Sequence, residues 1–223
     1  MTVAQFEEFV LPHLTVGKRG PVSKLSLYRS FGYILKFLYI GCQWKELPIE
    51  KDESGRPEIH YTRIYSVFRR WESDGCMNAI FVGSVLKLHQ NDLLNTSVIH
   101  GDGTTTSAKK GGDNIGYSGH KHMKGDKIVA FCDRNCNVIA PFVKAPGNRN
   151  ESPLFREALP LVTEIARAIG LDLKGTIERV FAWEDKFRRL LIRFDRLSKL
   201  HYAFKTLAYT MILSRLVLAE AIH

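Results

Sequence analysis

No uninterrupted apolar run in this sequence approaches the roughly 20 residues that a membrane span requires. The densest apolar and aromatic stretch, Phe31 to Cys42, is too short and is broken by Lys36, so no membrane partner is expected. Cysteine is also scarce. Four cysteines in 223 residues do not make a disulfide framework, which points to a reducing, cytoplasmic compartment. Cys132 and Cys136 stand in a C-x₃-C spacing without a second ligand pair. Ordinary strand-and-turn cysteines are expected there rather than zinc. The N-terminus, Met1-Thr-Val-Ala-Gln-Phe-Glu-Glu8, lacks the basic-then-apolar pattern of a secretory signal. Internal repeats and low-complexity tails are absent as well.

Acidic residues are outnumbered. Asp and Glu total 23 against 32 Lys and Arg, a formal net charge of +9 with a pI near 9.4. Such an excess favours a polyanionic partner, nucleic acid first and an anionic membrane surface second. Charge alone leaves a merely basic soluble protein as an equal alternative. Hydrophobic residues make up 45% and charged residues 25%, enough apolar material for a packed core.

Residues 1–95 read as helical. A short amphipathic stretch, Val3 to Leu14, precedes the loop Gly17-Lys-Arg-Gly-Pro21. Ser23 or Ser26 can cap a helix running to about Gly41, with Leu27, Phe31, Ile34, Leu35 and Leu38 on one face. A second helix is expected over His60 to Trp71, bearing Arg63, Arg69 and Arg70, and a third over Met77 to His89 after the turn at Asp74-Gly75. Three helices with a tight glycine turn and an arginine-bearing face resemble a helix-turn-helix DNA reader. A plain bundle with solvated arginines is the alternative.

The pattern changes after residue 95. Val98–Gly103 reads as a strand ending on an acid. Lys127–Cys132 and Val138–Val143 read as a β-hairpin around Asp133–Asn137. A helix is expected from Pro153 to Ile169, capped by Ser152, kinked at Pro160 and ended by Gly170. Last comes a long basic helical pattern over residues 176–205. The expected fold is therefore α/β (α+β).

Two acids invite a chemical reading. Asp102 ends an apolar run and opens onto small polar residues, Gly103-Thr-Thr-Thr106. Glu178 opens the basic helix. Together they suggest metal-dependent chemistry on nucleic-acid phosphates, although singly each is an ordinary turn or helix-start acid. A third carboxylate is missing. His100, His120 and His122 sit in a loop setting that gives no defined ligand geometry. Lys109, Lys110, Lys121, Lys124 and Lys127 form a basic cluster near Asp102 in the sequence, suited to phosphate contact.

Several blocks carry a family likeness: Gly41-Cys-Gln-Trp-Lys-Glu-Leu-Pro48, Tyr65-x₂-Phe-Arg-Arg-Trp71, His100-Gly-Asp-Gly-Thr-Thr-Thr106, Gly119-x₄-Gly125, and above all Ile177-Glu-Arg-Val-Phe-Ala-Trp183 with Phe187-Arg-Arg-Leu190. Over nearly its whole length the chain resembles the DDE transposases of bacterial insertion sequences, closest to the insertion sequence five family. The resemblance implies a helical N-terminal DNA-binding region over residues 1–95. It implies a ribonuclease-H-like catalytic domain with a long C-terminal helix over residues 96–223.

In that family an Asp, Asp, Glu set holds two Mg²⁺ (or Mn²⁺) ions. Two metals roughly 4 Å apart can serve both the attacking and the leaving oxygen of an in-line displacement. By resemblance Asp102 is the first metal ligand and catalytic acid, and Glu178 the last. Arg69, Arg70, Lys109, Lys110, Lys121, Lys124, Arg179, Lys186, Arg188, Arg189 and Arg193 are then the expected DNA contacts, because arginine suits bidentate phosphate binding. Trp183, at helical spacing from Val180 and Phe187, is expected in the core.

The chain departs from the family at one place. The strand bearing the second aspartate should follow the helix that ends near Gly170, but Leu173-Lys-Gly175 runs directly into Thr176-Ile-Glu178. Asp172 and Asp133 are poor substitutes. The expectation is thus a transposase internally deleted near residue 175 and defective in strand cleavage and transfer. The alternative is a non-enzymatic DNA-binding remnant or a regulator of the full-length enzyme. Expected partners are double-stranded DNA, as terminal inverted repeats and target, and a second copy or a full-length transposase in a mixed oligomer.

Overall fold

The computed structural model describes residues 1–17, 25–170 and 192–220, the last six of these by backbone alone. The described residues form a mixed α/β structure with six α-helices and a small antiparallel sheet. The helices are α1 (Val3–Phe9), α2 (Leu27–Ile40), α3 (Tyr61–Ser73), α4 (Cys76–Gln90), α5 (Glu151–Ile169) and α6 (Ser198–Glu220). The strands are β1 (His100–Ser107), β2 (Gly116–Ser118), β3 (Met123–Cys132) and β4 (Val143–Pro146). None of the described helices is long and apolar enough to cross a membrane.

Local chemistry sets most helix ends. Thr2 and Gln5 form a reciprocal capping box on α1. Of the two serines expected to cap α2, Ser26 accepts from the Arg29 amide; Ser23 lies outside the described residues. The α3–α4 connection is only Asp74 and Gly75, and Gly75 takes the left-handed conformation, φ 76°, that a residue without a Cβ adopts freely. Asn150, not Ser152, caps α5: its side-chain oxygen accepts from the Ser152 amide at 3.1 Å.

Strand β3 is the centre of the sheet. β1 pairs with it along its full length, from His100↔Cys132 to Ser107↔Gly125. β2 and β4 share its other edge. β1 thus starts later and runs further than Val98–Gly103. A ten-residue partner and three successive threonines, which suit extended backbone, extend it. The hairpin also differs from the expected one. Val138 bridges Cys132 and Ile139 donates to Phe131, but ladder pairing resumes only at Val143. Pro141, lacking an N–H, falls in the gap.

β3 is buried on both faces from Gly125 onward. Val129 and Phe131 point to α5, against Leu154, Ala158 and Val162. Ile128 and Ala130 point the other way, toward Phe81, Val85 and Leu88 of α4 and Tyr202, Tyr209 and Leu213 of α6. This alternation is the period-two geometry of a strand covered on both sides. A third apolar cluster joins α2 and α3 to the opposite side of α6, with Ile34, Phe37, Phe68 and Phe204 fully buried. Phe204 stacks on Phe68 at 4.3 Å between ring centroids. The C-terminal helix therefore packs with the N-terminal helices as well as with the sheet.

The long C-terminal helix differs from expectation. Residues 192–197, expected to be helical, are not, and α6 begins at Ser198. Arg193 instead forms a parallel bridge with Ala108, its amide donating to the Ser107 carbonyl at 2.8 Å. The helical pattern over residues 176–191 lies outside the described residues.

Because Phe204 touches both Phe68 and Phe37, Phe204→Ala should lower the free energy of unfolding by about 3–5 kcal/mol. Urea denaturation checks this. A loss under about 1 kcal/mol, well below that range, would mean that α6 does not close the helical core.

Candidate nucleic-acid interface

Asp102 sits near the start of β1, opposite Ala130, and is half-buried. Its Oδ1 accepts from the Gly103 amide at 2.7 Å. Residues directly opposite in an antiparallel pair share a face, so Asp102 lies on the α4–α6 side with Ala130 and Ile128. Gly103 lies on the other face, where a Cβ would come within 2.6 Å of the Glu151 carboxyl carbon. Glu151 is thus near Asp102 in space but across the sheet from it, and it pairs with Lys127 at 3.1 Å. Asp126 shares the face of Asp102, yet stands opposite Thr106. Four strand residues, roughly 13 Å, separate them.

These separations bear on metal binding. Among the described residues no group of three or more His, Cys, Asp or Glu converges so as to hold a metal ion. Glu178 and Asp172 lie outside the described residues. Asp133 is fully buried, and its carboxylate accepts from the Asn95 and Asn137 amides and the Asn137 side chain. It organises the turn after β3. Cys132 is buried against the His100 carbonyl, and burial first, then the Cys136 and Asp133 charges, push its thiol up to about 12. The described donor set alone does not fit a two-metal centre.

The expected DNA contacts divide into several groups. Lys109 and Lys110 are exposed in the turn after β1, and Lys121 and Lys124 are exposed around the β2–β3 connection. The Ala108 amide donates to the Lys124 carbonyl at 2.9 Å, so these lysines gather at one end of the sheet. Asp102 lies five strand residues from Ser107, roughly 17 Å away, so the cluster is not beside it. Lys127 leaves the cluster: it is buried, binding Glu151 and the Arg149 carbonyl. Arg69 is exposed over the Tyr65 ring at 5.9 Å, and Arg70 is half-buried. Arg179, Lys186, Arg188 and Arg189 lie outside the described residues, as does Trp183. The helix after the tight turn, α4, packs along α6 and gives Phe81, Val85 and Leu88 to the cluster shared with the sheet, while Asn78 and Gln90 remain exposed.

Arg193 departs furthest from expectation. Its side chain is 0% exposed, which leaves no surface for a phosphate. Its Nη2 donates to the Asp113 carbonyl (3.0 Å), to Asp113 Oδ1 (3.1 Å) and to the Arg196 carbonyl (3.2 Å), and Nε donates to the Asp195 carbonyl (2.9 Å). Nη1 faces Asp126 Oδ1 at 3.5 Å. His201 stands 3.8 Å from the other Asp126 oxygen. Burial raises the Asp126 carboxyl above the ordinary carboxylate range, against the opposing pull of Lys205, Arg193 and Tyr202. Asp113 also caps α6, accepting from the Ser198 amide and hydroxyl, both at 2.7 Å. Beside it, Gly112 adopts φ 135°, and a Cβ there would meet the Arg196 carbonyl at 2.5 Å. One buried guanidinium thus fixes three things: the loop after β1, the segment 193–197 and the start of α6.

That segment forms one wall of a groove of about 420 Å³ at the lysine-bearing end of the sheet. Trp44, Tyr61, Tyr65 and Phe194 line it, and Lys45, Lys110 and Arg196 add positive charge. Of these, only Lys110 stands among the DNA contacts expected from the sequence. Tyr61 and Tyr65 are four apart on α3, a spacing that puts both on one helix face. That spacing is the one local signal for the groove. No family model matches the chain, and no curated protein or solved structure does so.

Arg193→Met should destabilise the protein by about 3–5 kcal/mol, the effect of breaking a buried charge cluster by removing one member, here the guanidinium beside buried Asp126. Arg193→Lys should not restore it, because one ammonium cannot reproduce the fork of donors. Thermal or urea unfolding tests both variants. Asp113 adds a pH signature. Burial raises its carboxyl, but the Ser198 hydroxyl and amide, with Arg193, outweigh that and hold it below its ordinary 3.8. A depressed folded value stabilises fully above 3.8 and is lost as pH falls through the folded value. Asp126, with a raised value, works in the opposite sense. Asp113→Asn should therefore lose less stability on acidification than the parent, measured as unfolding midpoint against pH. A steeper acid loss in the variant would contradict the assignment.

Proposed function

We propose that this chain is a DNA-binding derivative of an insertion-sequence transposase that has lost the chemistry of strand cleavage and transfer. The observation that carries the reading is the set of four exposed lysines, Lys109, Lys110, Lys121 and Lys124, gathered at one end of the sheet. Asp102 stands on the same β1 strand, roughly 17 Å away. That distance is about half a turn of duplex DNA, whose pitch is roughly 34 Å, so one bound duplex can span both. Exposed Arg69 extends the basic surface onto α3. The net charge of +9 supplies the long-range attraction to polyphosphate.

The order of elements supports the transposase origin. An antiparallel set of strands carries an acid on its first member, and a helix covers one face. By resemblance, Asp102 and Glu178 would be the outer two of three ligands for paired Mg²⁺ ions. Such ions supply Lewis acidity at the scissile phosphate when bound. The second aspartate of the family has no counterpart in this sequence, and the described residues offer none in its place. The function left to the chain is binding: lysines contact phosphates, and Asp102 no longer takes part in a reaction.

Fluorescence anisotropy with duplex DNA at several salt concentrations tests this. Binding should weaken steeply with salt. Replacing the four lysines by glutamine should reduce the slope of log K against log salt by about 0.9 for each phosphate that is no longer neutralised. Asp102→Asn should bind as the parent does, and no nicking should appear in Mg²⁺. Salt-insensitive binding, or a slope unchanged by the four substitutions, would overturn the reading. Mg²⁺-dependent nicking abolished by Asp102→Asn would overturn the loss of chemistry.

A further inference from the structure

We infer that the groove between α3, the Trp44 turn and residues 194–200 is a binding site for an unpaired DNA nucleotide, its base held among aromatic rings and its phosphate by the flanking cations. The inference rests on the DNA-binding reading above and adds a specific structural preference to it.

The groove volume, about 420 Å³, falls within the roughly 300–1,000 Å³ typical of sites that enclose small ligands. Its lining combines the two chemistries a nucleotide needs. Trp44, Tyr61, Tyr65 and Phe194 offer ring surface. Lys45, Lys110 and Arg196 offer positive charge and outnumber the single acid of the lining, Asp195. Arg69, over the Tyr65 ring, adds a cation beside it.

The rings are not equivalent. One face of Trp44 is covered by Phe37, stacked at 3.8 Å and 14°, and Tyr65 meets Trp44 edge-on at 5.2 Å. Those two are braced. Phe194 is 39% exposed and Leu197 40% exposed, large apolar surfaces on a segment that Arg193 ties down through the Asp195 and Arg196 carbonyls. An exposed aromatic beside lysines and an arginine is the arrangement on which bases stack with little regard to their identity.

Geometry restricts the ligand to unpaired bases. In a duplex both faces of each base are already stacked, so a ring in this groove can reach a base only at a single-stranded end, at a gap or after the base turns out of the helix. The preference expected is for DNA with a single-stranded overhang over a blunt duplex of the same sequence.

The test uses the full chain and two probes: a blunt duplex, and the same duplex with a short overhang bearing a fluorescent purine analogue. The overhang should raise affinity roughly five- to 150-fold, the range of one aromatic–base stack, and binding should quench the analogue. Tyr65→Ala and Phe194→Ala should each remove most of that gain, a larger loss on the overhang probe than on the blunt duplex. Phe194 is exposed enough for its substitution to spare the fold, and Phe194→Tyr should retain the gain.

If both probes bind equally and the variants match the parent, the nucleotide site is refuted while DNA binding stands. If neither probe binds, the DNA reading itself fails, and the inference with it. If Phe194→Ala changes the sedimentation of the free protein but not the overhang preference, the groove is a contact between copies of this chain, and the nucleotide site is likewise refuted.

Discussion

A guanidinium with no exposure to water, that of Arg193, is the constraint on which the arrangement of this molecule depends. Burying such a charge is unfavourable unless its donors are satisfied and an opposite charge lies close. Here Nε and Nη2 donate to the Asp113, Asp195 and Arg196 carbonyls and the Asp113 carboxylate, and the Asp126 carboxylate lies 3.5 Å from Nη1 as the close opposite charge, without a hydrogen bond to it. These partners come from three separate segments. Asp113 belongs to the loop after β1, Asp126 to the middle of β3, and Asp195 and Arg196 to the run before α6. A change in any of these segments would leave a buried charge uncompensated, so all three take one arrangement together.

The consequences extend outward from that point. Asp113 is held by Arg193 on one side and caps α6 through Ser198 on the other. α6 then fills the space between the sheet and the N-terminal helices, contributing Phe204 to one cluster and Tyr202, Tyr209 and Leu213 to another. On the outer side, the same anchoring leaves Phe194, Arg196 and Leu197 at the surface, facing Trp44 and Tyr65 across the groove. A buried ion pair is thus the mechanical base of an exposed surface suited to DNA. The lysines around the β2–β3 connection, tied to this end of the sheet by the Ala108–Lys124 bond, enlarge that surface.

Much of the architecture was legible in the residues, and the failures have physical reasons. α2 could be read from the spacing of Phe31, Ile34 and Leu38, from the serine before it and from the glycine after it, because those signals are local. The α3–α4 turn was legible at Asp74-Gly75 for the same reason. The hairpin was harder. Pro141 interrupts the ladder, and the strand after it owes its position to pairing with β3 rather than to its own composition. The end of the chain misled most. Phe194 and Leu197 fit a helical period, but Arg193 finds carboxylates on remote segments, and that tertiary gain outweighs local propensity. The same event hid the role of Arg193. A charge run reads as a solvated or phosphate-binding face, and only the fold shows one member enclosed. Asp102 was legible as a strand acid, whereas the groove joins Trp44, Tyr65, Lys110 and Phe194 from four separate places in the chain.

The central claim is that one face, made by the turn after β1, the β2–β3 connection and residues 193–197, engages DNA as a unit. Amide hydrogen exchange of the full chain, with and without a duplex carrying a single-stranded end, tests it most directly. Exchange should slow on DNA binding in residues 108–113, 119–124 and 193–197 together, and stay unchanged in α5 on the opposite side of the sheet. Slowing confined to α5, or to only one of the three segments, would contradict the account.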